Sequence, residues 1–218
     1  MYFKIITNLR KQKNIVYKKL PGFTLIELSI ALIIVGIIMA AAFKGTELLE
    51  SARLQACMSD LNRYHLSIIN YHDQYGQWPG NDISAKNRFG NNTENGDGKG
   101  LILKNEQPLV WQHLYFSKLI DYPHPPSARI GGSISVMSNP TDGFQGNFLI
   151  LSKTPGTLTP LLTPHQALIL KSKAGEKKAD SGVFIVLTGE GVAADSCVKN
   201  GEFNLAYKNP SCVIAFGF

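Results

Sequence analysis

One carboxylate sits where a carboxylate is expensive. Residues 23–43 form an almost unbroken apolar run whose single charge is Glu27, and the pair Gly22-Phe23 stands at its start. The run is long enough to cross a bilayer core of about 30 Å as a helix. Twelve of its residues are Leu, Ile, Val or Phe. Together they favour insertion by on the order of 5 kcal/mol, against a penalty of about 3 kcal/mol for one acid at the helix centre. Glu27 lies near the end of the span, where the penalty is smaller, so the segment inserts. An ionisable residue inside such a segment marks a functional site by default, and its chemistry is pairing with a charge that removes the cost of burying it.

Ahead of the run stands Lys18-Lys19-Leu20-Pro21-Gly22, and Phe23-Thr24-Leu25-Ile26-Glu27-Leu28 follows. Together these resemble the processing site of type IV pilins and of the pseudopilins of type II secretion. The resemblance implies that a prepilin peptidase cuts after Gly22 and N-methylates Phe23, and that Glu27 serves assembly. The new amine on Phe23 then lies at the membrane surface. Pairing Glu27 with the N-terminal amine of a neighbouring subunit lowers the cost of a carboxylate in lipid. The apolar helices pack as a filament core with heads outward, a heterologous and open helical assembly. Other pilin-like subunits are the implied partners. The implied location is the bacterial inner membrane, crossed once, with the C-terminal domain in the periplasm and the assembled filament periplasmic or extracellular.

A rival reading rests on Ala40-Ala41-Ala42, which has the form of an ordinary signal-peptidase site behind a basic region and an apolar core. Cleavage there would release a soluble periplasmic binding domain beginning at Phe43. The acid in the core weighs against this, as does a core longer than about 7–15 residues.

The formal net charge of +6 belongs to the leader alone, since residues 1–22 hold Lys4, Arg10, Lys11, Lys13, Lys18 and Lys19 and no acid. The remainder is neutral. The basic balance therefore carries no argument for nucleic acid, and nothing in the sequence assigns a nucleic-acid partner. It marks the cytoplasmic side of the span.

Three cysteines fit an oxidising compartment. Cys197 and Cys212 flank a turn-rich stretch near the end and are expected to pair, while Cys57 reads as a small buried apolar residue. His65 and His72 lie seven apart on a helix. A helical metal pair would sit at i, i+4, and no carboxylate or cysteine completes a site, so both read as core or rim residues. The Gly- and Asn-rich loop at 90–100 has a sharper register. With Asn95 as position 1, Asp97 is position 3, Lys99 is 5, Gly100 is the turn glycine and Glu106 is 12, the skeleton of an EF-hand-type calcium loop. Lys99 stands where a cation belongs. A calcium loop on Asn95, Asp97 and Glu106, a lysine standing in for the ion, and a plain turn-rich loop all fit. No other cofactor is expected.

These residues need a scaffold. Leu54, Met58, Leu61, His65, Ile68, His72 and Tyr75 recur at helical spacing, with Cys57, Tyr64 and Tyr71 on the flank, so an amphipathic helix continues from the membrane segment. The two together make about 50 residues, roughly 75–80 Å. Trp78-Pro79-Gly80 turns the chain, and a short helix is expected within 106–120. Strands are expected at 133–137, 147–152, 183–188 and 213–218. A helix opens at Thr163-Pro164, with Thr163 as N-cap, and runs to about Lys173. The expected architecture is α+β, a long N-terminal helix packed on a C-terminal antiparallel sheet. It divides into a leader at 1–22, a membrane and assembly segment at 23–45 and a pilin-like periplasmic domain at 46–218. The succession of motifs after Gly76 also resembles pilin-like proteins with large globular heads. One departure is the absence of a helix-breaking proline near the end of the apolar segment, where Gly36 and Gly45 are the only weak points. No Gly-x-Ser-x-Gly, phosphate loop, His-Glu-x-x-His or Cys-x-x-Cys occurs, and no enzyme is expected.

Overall fold

The computed structural model describes residues 22–218 except 176, 177 and 180, so residues 1–21 of the expected leader lie outside the described residues. It divides into two units, one ending at Thr46 and one comprising Glu47–Phe218. Helix α1 (Leu25–Tyr75) contributes to both.

Residues 22–50 are exposed without exception. The most apolar window of α1 has a mean hydropathy of 2.6 and no buried residue. Further along, Leu54, Cys57, Met58, Leu61, Ser67, Ile68 and Tyr71 are buried. The seam is shifted slightly from its expected centre. Cys57 and Tyr71, expected on the flank, are fully buried, whereas His65 and His72 lie half-buried at the rim. His65 stacks on Phe216 at 4.3 Å and its Nε2 meets the Gly217 carbonyl oxygen at 3.1 Å, while His72 stacks on Trp78 at 4.0 Å.

Beyond Gly76, whose φ of +68° ends the helix, come α2 (Ala85–Phe89) and α3 (Gln107–Phe116). The α2 turn has no counterpart in the sequence reading, because five residues carry too little periodicity to register. Strands β1 (Ser133–Ser138), β2 (Asn147–Ser152), β3 (Phe184–Thr188) and β6 (Cys212–Gly217) form one antiparallel sheet in the order β1-β2-β6-β3. The last strand thus runs through the middle. Two-residue strands β4 (Val198–Lys199) and β5 (Glu202–Phe203) make a separate hairpin.

Both faces of the sheet are covered. Ile134, Val136, Leu149, Leu151, Val186 and Ile214 pack with the α1 seam and Trp111. Phe148, Ile150, Ile185, Leu187, Val213 and Ala215 meet Leu158 on the other side. This explains why β2 reads as a continuous apolar run and not as an alternation.

Helix α4 (Pro164–Lys173) is capped as the sequence suggests and more completely. Thr163 Oγ1 accepts the Gln166 N–H at 3.3 Å, and Gln166 Oε1 accepts the Thr163 N–H at 2.9 Å, a reciprocal capping box. The other end of the Gln166 amide donates to Glu50 Oε1 at 2.7 Å, which ties α4 to α1. Cys197 and Cys212 form a disulfide with Cα atoms 5.2 Å apart. Closing a loop of this length stabilises by about 3 kcal/mol in the chain-entropy model. Cys57 is free and buried, and burial, with the Asp60 charge adding to it, pushes its thiol up to about 12.

Candidate functional site

Gly22, Phe23 and Glu27 lie together at the start of α1. Thr24 caps the helix: its Oγ1 accepts the Glu27 N–H at 3.3 Å, and its carbonyl accepts the Leu28 N–H at 3.2 Å. Thr-x-x-Glu is capping-box spacing, and the Thr24 half of that box is formed. Glu27 therefore occupies the first helical turn, where the helix dipole favours a negative charge. Gly22 and Phe23 are exposed, Phe23 at 78%. Among the described residues no cation pairs with the Glu27 carboxylate. The Ala40-Ala41-Ala42 stretch lies inside α1.

In the head, the loop register singled out in the sequence resolves into a network centred on Asn81, which is 2% exposed. Asn81 Oδ1 accepts the Gly100 N–H at 2.6 Å. Its Nδ2 donates to Asp97 Oδ1 at 2.7 Å and faces both Glu106 carboxylate oxygens at 3.3 Å. Glu106 also accepts the Asp97 N–H at 2.7 Å and the Leu103 N–H at 3.0 Å. Asp97 Oδ2 pairs with Lys99 Nζ at 2.9 Å. The hydrogen bonds from the Lys99 backbone and side chain hold the Asp97 carboxyl below its ordinary range, and Asp97 in turn raises the Lys99 ammonium. Asp97 and Glu106 are thus brought together, while Asn95 turns away and its Oδ1 accepts the Lys86 N–H at 2.8 Å. Among the described residues no group of three or more His, Cys, Asp or Glu side chains could hold a metal ion.

A second network was not visible in the sequence. His113 is fully buried, its Nδ1 accepts the Gly80 N–H at 2.9 Å, and its Nε2 lies 2.8 Å from the Glu94 carbonyl oxygen. These partners require a neutral ring with the proton on Nε2. Burial pushes its pKa below the ordinary value, outweighing the Glu94 carbonyl and the Asp82 charge. Beside it, Tyr71 Oη donates to Asp82 Oδ2 at 2.7 Å, and Arg88 pairs with the same oxygen. Gly80 must be glycine here: at its φ of +87° a Cβ would lie 2.6 Å from Val110 Cγ2. The Trp78-Pro79-Gly80 turn was legible, but its role in presenting an N–H to a histidine 33 residues away was not. The hydrogen bonds of both networks hold loops together.

A family profile described as the prokaryotic N-terminal methylation motif matches residues 20–43. No curated protein matches the chain. Among solved structures, the major type IV pilin PilA1 from Clostridium difficile aligns with a TM-score of 0.41 and 15% identity, over 77% of this chain and 96% of that one.

Proposed function

We propose that this chain, whose N-terminal segment is that of the type IV pilin-like proteins, is a structural subunit of a membrane-anchored filament, either a type IV pilus or a type II secretion pseudopilus. The observation that carries the reading is the coincidence of the methylation motif at residues 20–43 with a helix exposed along its whole apolar length. Such an apolar surface is stable only against lipid or other helices of its kind.

Prepilin peptidase removes residues 1–22 and methylates Phe23. The chain is then held in the inner membrane by the first part of α1, with the C-terminal unit on the periplasmic side. On assembly Glu27 pairs with the Phe23 amine of a neighbour. This supplies the cation that the carboxylate lacks among the described residues, and neutralises both groups as they leave the membrane surface. The pair fixes the axial register of each incoming subunit.

The test begins with the N-terminal residue and intact mass of the protein purified from membranes. A chain beginning at N-methylated Phe23 is expected. One beginning at Phe43 would replace this reading with a secreted soluble domain. Glu27→Ala should insert and be processed normally yet fail to enter filaments, and normal incorporation of that variant would remove the pairing role. Loss of surface fibres on deletion identifies a pilus, and periplasmic retention of exported enzymes a pseudopilus.

A further inference from the structure

A cleft of about 350 Å³ opens on the head between the middle of α1, the turn that closes α3, and the proline-rich segment leading to β1. Arg63, Tyr64, Lys118, Asp121, Tyr122 and His124 are among its lining residues. None of them takes part in the two networks described above, and none belongs to the assembly helix surface at 23–43.

Its charge is positive. The Arg63 guanidinium lies over the Tyr64 ring at 4.8 Å and donates to Tyr64 Oη at 2.8 Å. Its nearest carboxylate, Asp60, stands 3.8 Å away and already takes Arg129 Nε at 2.9 Å. One acid is therefore divided between two guanidinium groups. The Lys118 ammonium has no ion pair among the described residues, and the only carboxylate in the cleft lining is Asp121. The cleft also has flat apolar faces. Tyr122 is 66% exposed and its ring stacks beside His124, with centroids 5.7 Å apart and planes 22° from parallel. A volume of this size suits one small ring, and exposed aromatic faces take the apolar side of such a ring.

The backbone adds an independent observation. Helix α3 ends in a Schellman motif: the Lys118 N–H reaches the Tyr115 carbonyl at 2.9 Å, and the Leu119 N–H reaches the Leu114 carbonyl at 3.0 Å. Lys118 is the left-handed residue of that motif, with φ of +62°. Glycine is the default there, because an L side chain in this conformation costs about 1 kcal/mol. Lys118 thus carries this backbone cost at a position that lines the cleft.

We propose that this cleft binds a small carboxylate-bearing ring, with Lys118 and Arg63 holding the carboxylate and Tyr64 and Tyr122 flanking the ring. The ring is either a hydroxylated one, as in a uronic acid, or an aromatic one. To test this, the full chain in detergent is titrated calorimetrically with D-glucuronate and with benzoate, each beside its uncharged counterpart, glucose or benzyl alcohol. At least one acid is expected to bind tenfold or more tightly than its counterpart. Preference for glucuronate assigns a sugar acid, and preference for benzoate an aromatic one. Lys118→Gly should lose at least tenfold in affinity while raising Tm, since it removes a cation and relieves the backbone. Lys118→Arg should keep the binding. The proposal is overturned if neither acid outbinds its neutral counterpart, if Lys118→Gly binds as the parent does, or if its Tm falls.

Discussion

Helix α1 faces two environments with one backbone. Along residues 25–43 it is apolar, with Glu27 its one charge, and wholly exposed, whereas from Leu54 to Tyr71 it carries one apolar seam that is buried against the sheet. The backbone is indifferent to the change, because a helix satisfies its own N–H and C=O groups in lipid as in water. Side chains make the difference. The acids follow the same division. Buried Asp82 and Glu106 find all their donors within the chain, from Tyr71, Ser84, Arg88, Asn81, Asp97 and Leu103. Glu27 finds no cation among the described residues. Buried carboxylates of the second unit are satisfied within the chain, and the proposed pairing with a neighbour's amine would satisfy Glu27 in the same way.

The sharpest way to break this contrast is a pair of large-to-small substitutions. Trp111→Ala removes a fully buried ring from the core beneath the second half of α1 and should cost the head about 3–5 kcal/mol in urea unfolding. Ile34→Ala, on the exposed first half, should change head stability by less than about 0.5 kcal/mol. Equal losses would show that the two stretches do not answer to different surroundings.

An intermediate effect is expected with pH. The folded pKa of His113 lies below its ordinary value of 6.5. Its contribution is therefore complete above about 6.5, and it is lost as pH falls through the folded pKa, because the unfolded chain takes up the proton more readily. Tm should drop between pH 7.5 and pH 5, and His113→Gln should flatten that slope. His65, also lowered by burial, leaves a residual dependence in the variant. A slope unchanged in His113→Gln would take the ring out of the account.

The smallest effect concerns calcium. With the Glu106 oxygens on two backbone N–H groups and Lys99 on Asp97, millimolar calcium and a chelator should give the same Tm. A calcium-dependent rise would mean that Lys99 swings away and the loop refills with an ion, the expectation raised by its register.

Much of the architecture was legible before any coordinates. The apolar helical stretch at 25–43, the helix starting after Thr163 and the strand at 147–152 follow from apolar runs, a cap and bounding turns, which are local signals. The pairing of Cys197 with Cys212 was likewise expected and is present. What was not legible involves partners far apart in the chain. His113 gave no signal, since a lone histidine in a helix looks the same whether its ring is exposed or fixed between Gly80 and Glu94. Spacing draws the α1 stripe through Leu54, Met58, Leu61, His65, Ile68, His72 and Tyr75. Leu54, Leu61 and Ile68 are fully buried, but so is Tyr71 on the expected flank, while His65 and His72 lie half-buried at the rim. A stripe ten residues wide in composition does not specify which edge its neighbours cover.

The sequence by itself determined the N-terminal methylation motif, the apolar run and its lone acid, the helical continuation past it and the succession of strands, because each is written in residues close enough to act on one another without a fold. Only the tertiary structure decided that β6 enters the sheet between β2 and β3, that Glu106 faces inward onto backbone N–H groups, and that Arg63, Lys118 and Tyr122 share one cleft. Those outcomes depend on which distant segments meet. Meeting is set by packing two covered sheet faces at once, a constraint that no local pattern encodes.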